Sequence, residues 1–349
     1  MSSANLDSPP QRVTMRDVAV EAGVSIATVS RVLNDSASVA PATRAAVMQV
    51  VERRSFTARR GGRSRSASLR NVVAVRCPYI LDDYFGIVLS AVARSLRQHG
   101  KRLVLSAEAE EGDEPSIGEL LLPETTEGAI LILPPEPREQ LTALREQRYP
   151  FVVLDPRTSL PGDVAAVSAA HLAGSRAATE HLLMLGHERI GAIAGPENWI
   201  ASDGRLVGYR AALAAAGRLA PGELVRAGGE PTVESGYEAA SWLLDLAVPP
   251  TAIVAFNDKM AIGAYQAARK RGLRVPEDLS IVGFDDVELS RVAQPPLTTV
   301  RQPLEEMARM AVALLVRLIE GQEIDTLHVE LATELIVRDS TAPPTCGGS

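Results

Sequence analysis

From residue 71 onward the chain alternates between two patterns. Short continuous apolar runs occur at 72–75 (VVAV), 103–106 (LVLS), 129–133 (AILIL), 151–154 (FVVL), 190–194 (IGAIA), 252–256 (AIVAF) and 279–284 (LSIVGF). Runs this short, unbroken and β-branched are the signature of parallel strands buried on both faces. Between them lie 84–99, 172–185, 205–216, 235–246 and 259–271, where apolar residues recur at three- and four-residue intervals, as on one face of a helix. A repeating βα order predicts an open α/β fold. Its length suits two parallel sheets, and ligands of such sheets bind beyond the carboxyl ends of the strands, here in a cleft between two lobes.

The first 56 residues carry a different pattern. Thr14 followed by Asp17 reads as a capping-box-like start for a helix with Val18, Ala19 and Ala22 on one face. Gly23 ends it in a tight turn, Val24 plugs the joint, and Ser25 caps a second helix that carries Val29, Val32 and Leu33 inward. After a polar loop at 34–40, Pro41 opens a third helix reaching about residue 54, with Ala45, Val47, Val50 and Val51 closing a small core and Phe56 packing back on it.

Two short helices about a tight turn form a helix-turn-helix, whose second helix enters the DNA major groove by its N-terminal end. The outward residues there are Ile26, Ala27, Ser30 and Arg31. Arg31 can donate a bidentate pair to guanine, while Ile26 and Ala27 can only pack against thymine methyls or tolerate several bases. Ser25, Thr28 and Asn34 suit phosphate contacts, and Thr14, at the start of the first helix, is a further DNA-binding candidate. A plain helical hairpin would show the same spacing, so charge decides. Residues 1–70 hold 11 Arg, no Lys and 5 acidic residues, a balance of +6; subtracting this from the net −7 leaves −13 on the other 279 residues. A small basic head on an acidic body is what phosphate attraction at one end requires.

The run from Asp17 to Asn34 resembles, without a gap, the DNA-binding head of the lac repressor (LacI) family, whose members commonly read D-V-A-x-x-A-G-V-S-x-x-T-V-S-R-V-L-N. Further stretches look like signatures of the same family: 185–195 (LGHERIGAIAG), 205–213 (RLVGYRAAL), 256–264 (FNDKMAIGA), 275–286 (VPEDLSIVGFDD), 295–303 (PPLTTVRQP) and 333–344 (TELIVRDSTAPP). The resemblance implies a helix-turn-helix head at 12–56 after a disordered tail at 1–11, and a hinge at 57–71. It further implies a periplasmic-binding-protein-like core at 72–340 and a flexible tail at 341–349. By the family's topology the core has an N-lobe at about 72–160 and 291–321 and a C-lobe at about 161–290 and 322–340.

The resemblance also assigns residues. Ile26, Ala27 and Arg31 would read an operator half-site. In the Arg-, Ser- and Gly-rich hinge, Arg63 and Arg65 would reach DNA, but Arg65 stands where the family places a leucine that wedges the minor groove. Gly61 and Gly62 should each cost a hinge helix ~1 kcal/mol relative to Ala. Either the hinge folds weakly and Arg65 reads a narrow minor groove by charge, or the operator is not kinked in the usual way. In the cleft, Arg205, at the start of a helix, and Asn257 and Asp285, directly after strands, would pair with hydroxyls of a sugar-like effector. Tyr84 and Phe85 match an aromatic pair lining the pocket. Helix capping, lobe bridging or simple core packing would account for the same residues. Where the family reads V-x-x-D-N, this chain has Val167 to His171, so an acidic contact is missing and His171 stands in its place. An aromatic that often stacks on sugar falls on Pro231.

Together these readings imply a transcriptional regulator, commonly a repressor of catabolic genes, that binds a pseudo-palindromic double-stranded operator as a homodimer under control of a small effector. No leucine heptads follow 304–319, which argues against a tail-mediated tetramer. Two other classes fit less well. An α/β enzyme acting on a small polar metabolite could use Asp285, Asp286 and His171, but no G-x-S-x-G, phosphate loop or metal-spaced set appears, and no cofactor is implied. A nonspecific nucleoid-type binder would leave the acidic body without a purpose. The polar N-terminus lacks a signal-peptide core, no apolar stretch of about 18 residues is present, and Cys77 and Cys346 are far apart. Cytoplasmic residence without a membrane, at the nucleoid when bound to operator, is the expectation.

Overall fold

The computed structural model describes residues 15–33, 40–53, 71–77, 83–107, 125–324 and 327–345. Thr14, Asn34, Phe56, the hinge residues Arg63 and Arg65, residues 1–11 and residues 346–349 lie outside the described residues, as do the side chains of Ala27, Ser30 and Leu33. Residues 341–345, expected in a flexible tail, are held instead: Ala342 N–H donates to Ser280 Oγ at 3.0 Å and Thr341 Oγ1 lies 2.9 Å from His181 Nε2. The chain divides into two compact units, 1–70 and 71–349.

The first unit holds α1 (Met15–Glu21), α2 (Ile26–Leu33) and α3 (Pro41–Arg53). Val18, Ala19, Val29, Val32, Val47 and Val50 are buried together, with Ala22, Val24 and Val51 packed against them. Of the core anticipated from the spacing, Val18, Ala19, Ala22, Val29, Val32, Val47, Val50 and Val51 are found here, Ala45 is exposed, and the side chains of Leu33 and Phe56 lie outside the described residues. The inward stripe of α3 runs through Val47, Val50 and Val51, and Ala45 falls outside it.

The second unit contains two six-stranded sheets. The first is ordered β11-β5-β4-β3-β1-β2, built from β1 (Val72–Cys77), β2 (Arg102–Ala107), β3 (Gly128–Ile132), β4 (Phe151–Leu154), β5 (Ala165–Ala169) and β11 (His328–Leu331). All its pairings are parallel. The second is ordered β12-β10-β9-β8-β6-β7, from β6 (Ile190–Ala194), β7 (Val225–Ala227), β8 (Ala252–Ala255), β9 (Ser280–Asp285), β10 (Thr298–Arg301) and β12 (Glu334–Ile336). Only β12 runs antiparallel to its neighbour. Strands β1, β3, β4 and β8 are buried at every position, which is why, apart from Arg76 in β1, they read as apolar runs.

Helices cover the sheets. On the first lobe α4 (Asp83–Gln98) buries Val88, Leu89, Ala91, Val92, Ser95 and Leu96. α11 (Leu304–Ile319) packs beside it on β3, β4 and β5, and α5 (Arg138–Glu146) buries Leu141 and Leu144. On the second lobe α6 (His171–Met184) lies against α7 (Ile200–Ala215), and α8 (Val233–Leu244) against α9 (Asp258–Lys270). The short α10 (Glu288–Val292) follows β9. The first helix pair touches backbone to backbone: a Cβ on Gly208 would fall 2.2 Å from the Leu172 carbonyl oxygen, so only glycine fits.

The lobe boundaries differ from the expectation. β5 belongs to the first sheet, β10 to the second and β11 to the first, so the chain crosses after residue 169, at 302–303 and at 332–333, rather than near 161, 290 and 322. The reason is local. AAVSA, TTVR and HVEL are short and Ala-rich or polar, so no apolar run marks them as strands. Pairing to neighbours makes them strands, as Asp155 N–H donating to Val167 O at 2.7 Å and Ala170 N–H to Leu331 O at 2.8 Å show. No described helix is long and apolar enough to cross a membrane.

Candidate functional site

In the head, Gly23 takes φ +64, the left-handed conformation that lets α1 stop and α2 begin. Val24 N–H donates back to Ala19 O at 3.0 Å. Ser25 Oγ accepts from Thr28 N–H at 3.1 Å, capping α2, and lies 2.9 Å from Thr28 Oγ1. Ser25 therefore orients the reading helix, and its hydroxyl is already partly engaged by the cap. The outward face carries Ile26, 47% exposed, and Arg31, also exposed, while Val29 and Val32 are buried beneath them. An exposed isoleucine and guanidinium on the first two turns of a packed helix belong to its solvent face, not to the core face.

In the core, the structure brings Tyr84, His171, Arg205 and Asp285 together and adds residues that the sequence reading missed. Asp155, directly after β4 at φ +54, is the centre. Its Oδ2 accepts from the Tyr84 hydroxyl at 3.0 Å, and its Oδ1 lies 2.9 Å from His171 Nε2. On the other side, His171 Nδ1 lies 3.4 Å from an Arg205 Nη. The guanidinium can only donate, so this contact suits an imidazole with its proton on Nε2, toward Asp155. His171 thus joins a first-lobe carboxylate to a second-lobe guanidinium.

Arg205 sits on α7, which starts at Ile200, so it occupies the second turn and does not open the helix as expected. Its Cζ lies 3.7 Å from the Phe284 ring centroid and 4.3 Å from that of Phe256, with one Nη donating to Phe256 O and the other 3.7 Å from Asp285 Oδ1. Burial pulls this guanidinium below its ordinary pKa, and Asp285 and Asp155 oppose the shift. Asp285, at φ +118, accepts from Gln302 Nε2 at 2.6 Å. Burial pushes Asp285 up to about 6, with Arg205 holding it lower than burial alone would. The adjacent Asp258 is raised by burial and then by Asp285, and it accepts from Thr299 Oγ1 at 2.5 Å and Val287 N–H at 3.0 Å. For Asp155 burial raises the pKa, but His171, Arg205 and the Tyr84 hydroxyl more than offset it and the net shift is downward. Tyr84 is raised by burial and by Asp155, so it stays a donor.

The remaining candidates have smaller parts. Asn257 Oδ1 accepts from Met260 N–H at 2.9 Å and caps α9, which leaves only its NH2 group for a ligand. Phe85 meets Tyr84 edge to face at 5.3 Å between centroids. Around the rim, Arg157 stacks on Trp199 at 4.6 Å, Ile200 N–H donates to Arg157 O at 2.8 Å, and Lys259 pairs with Asp83 at 3.3 Å. These contacts join a first-lobe loop or helix to the second lobe. Beneath Arg205 a void of about 20 Å³ is lined in part by Ser175, Ser202, Tyr209 and Phe284. Ser202 Oγ and Arg205 Nε, both buried, have no hydrogen-bond partner, and the space suits about one water.

Asp155 could have been found from sequence: it follows FVVL directly, as Asn257 nearly follows β8, while Asp285, expected just after its strand, is the last residue of β9, so Asp155 satisfies the strand-end rule. Gln302, Phe256 and Phe284 carried no comparable signal, since their roles come from the lobe crossing and from stacking. Chemically the arrangement is a cleft floor of hydrogen-bond acceptors around one buried cation, with aromatic faces beside it. Among the described residues no group of three His, Cys, Asp or Glu could hold a metal ion.

Residues 14–58 match the family model described as bacterial regulatory proteins, lacI family, and residues 179–341 match the periplasmic binding protein-like domain. The HTH-type transcriptional repressor CytR of Escherichia coli (strain K12) is 34% identical over 94% of this chain and 96% of its own length. The HTH-type transcriptional regulator CelR of Thermobifida fusca is 35% identical over 95% and 98%. A solved complex of the transcriptional regulator CelR with cellobiose superposes with a TM-score of 0.72 at 34% identity, covering 94% of this chain and 100% of that one. The lac repressor dimer bound to operator and the anti-inducer ONPF gives 0.70 at 28% identity, covering 95% and 100%. With head, core and nearly the full length matched at this identity, the chain belongs to the LacI family of bacterial regulatory proteins.

Proposed function

We propose that this chain is a sequence-specific transcriptional regulator, acting as a repressor of catabolic genes. It binds a pseudo-palindromic operator in the cytoplasm as a homodimer and responds to a small polyhydroxy effector held between the lobes of its core. The observation that carries the reading is the combination, in one chain, of a reading helix exposing Ile26 and Arg31 with a cleft floor where Tyr84, Asp155, His171, Arg205 and Asp285 converge from both lobes. Hydroxyls match such a floor, since each can donate to a carboxylate and accept from a guanidinium or amide. Contacts that join the lobes are also the ones an effector replaces. Its binding therefore changes the balance between lobe arrangements and, through linkage, the affinity for DNA. The likeness to the CelR–cellobiose complex and to the operator-bound lac repressor dimer supports both halves of the reading. The test is selection of bound fragments from genomic DNA followed by footprinting. A short protected site with two-fold symmetry is expected. Uniform protection without a preferred site would overturn the reading.

A further inference from the structure

The end of β9 grips the place where the chain leaves the second lobe. Two consecutive residues there, Asp285 and Asp286, take positive φ, +118 and +58. Such backbone is costly for residues other than glycine and persists only where the surroundings hold it. Part of that hold comes from the crossings between lobes. Asp285 Oδ1 accepts from Gln302 Nε2 at 2.6 Å, on the crossing at 302–303. The Asp286 carboxylate, 1% exposed, accepts from Arg301 Nε at 2.7 Å, from Ser290 Oγ at 3.0 Å and from Arg338, which follows β12. Arg301 and Gln302 are consecutive, as are the two carboxylates that receive them.

Arg301 reaches furthest of these groups. In register it stands between Asp285 on β9 and Glu334 on β12. Its guanidinium forks accordingly, with Nε on Asp286 and Nη1 3.4 Å from Glu334. Glu334 is the first residue of β12, just past the crossing at 332–333. The preceding Thr333 donates to Ala170 O at 3.4 Å, where the chain has just made its first crossing. Arg301 therefore stands at the second crossing and links the end of β9 to the third, which is itself bonded to the first. With its side chain 43% exposed, its ion pairs add little to stability. What it supplies is geometry, because a planar fork fixes two carboxylates relative to each other where a lysine could meet only one.

Lobe motion is absorbed at such crossings, where a few residues take up the backbone rotation. Asp285 belongs to the cleft floor and Asp286 to the crossings, so a displacement of one reaches the other across a single peptide unit. Resting on the function proposed above, we infer that Arg301 is a positioning residue of the effector response. Acting through Asp286 and Glu334, and not on the effector itself, it makes the crossings follow the turn that carries Asp285. Binding and response are then separable at this residue. Without the bridge the cleft floor of Tyr84, Asp155 and His171 stays in place, but its hold on the lobe arrangement, and so the linkage between ligand and operator, is weakened.

The test uses the full-length protein, with a whole small-molecule extract of its host as the probe and two readouts on the same preparations. Thermal stabilisation by the extract reports binding, and the extract-induced change in operator affinity reports response. For Arg301→Gln the thermal shift is expected to persist at the same extract concentrations, while the response falls roughly twofold to thirtyfold toward none. Arg301→Lys, which keeps the charge but cannot bridge both carboxylates, is expected to lie between that variant and the native chain. It carries the test alone if the glutamine variant does not fold. A response at the native level in either folded variant would overturn the inference. So would a thermal shift that weakens in step with the response, since Arg301 would then serve binding or the fold alone. A native chain unmoved on its operator by the extract would contradict the effector reading itself, and the inference with it.

Discussion

At the residue scale the proposed recognition rests on two positions. Arg31 is exposed on a helix whose opposite face is buried, and the proposed reading has its guanidinium pair with guanine O6 and N7. Arg31→Ala is expected to cost about 1–3 kcal/mol at one base pair in each half-site and to relax preference there. Binding titrations on operators substituted one base at a time measure this, and an equal loss on all sequences would make Arg31 a phosphate contact. Asp285 is the second position. With its carboxyl raised from an ordinary 3.8 to about 6 in the folded chain, the folded state holds the proton more tightly than the unfolded one. The sign follows: its favourable contribution is complete below the unfolded pKa and is lost as pH rises through 6. Asp285→Asn, which keeps the shape without the charge, is therefore expected to match the native chain at low pH and to exceed it by about 1–3 kcal/mol near pH 8. Urea melts of both chains across that range would show parallel curves if the account is wrong.

At the scale of elements, what could be read from the sequence depended on how completely an element is buried. β4 and β6 occur where their apolar runs stand, and α11 spans the anticipated Leu304–Ile319, because full burial on two faces, or along a helical stripe, leaves a periodic trace. β5, β10 and β11 escaped detection because AAVSA, TTVR and HVEL take strand form from their neighbours and lie where the chain passes between lobes. The same blindness displaced the three crossings and hid Gln302, which sits on one of them. His171 stands out as a departure from the family pattern and Asp155 satisfies the strand-end rule, but that the two meet depends on the pairing of β4 with β5, a contact with no local signal. Helix contacts make a separate claim. Gly208→Ala would drive a methyl group into the Leu172 carbonyl, so it is expected to destabilise the core by about 1–3 kcal/mol or more. A thermal melt unchanged by that substitution would contradict the close approach of α6 and α7.

At the scale of the whole molecule, a basic head and an acidic, two-sheet core share one chain, and the core's polar floor is assembled from both lobes. Arg157 on Trp199 and Lys259 on Asp83 give the lobes further contacts that an opening must break. Trp199 and Trp242 are the only tryptophans in the sequence, so Trp242→Phe leaves a single reporter at the rim. In that background Arg157→Ala is expected to shift Trp199 emission to the red and increase its quenching by acrylamide, and an unchanged spectrum would contradict the stacking. The central claim, that a cleft between lobes governs a DNA-reading head, meets its most direct test in one titration. The full-length protein is titrated onto its selected operator and onto a scrambled duplex at fixed ionic strength, with and without the neutral fraction of host metabolites. A preference for the operator of about a thousandfold or more is expected, changed roughly fivefold to 150-fold by that fraction. Equal affinity for both duplexes, unmoved by any fraction, would contradict it.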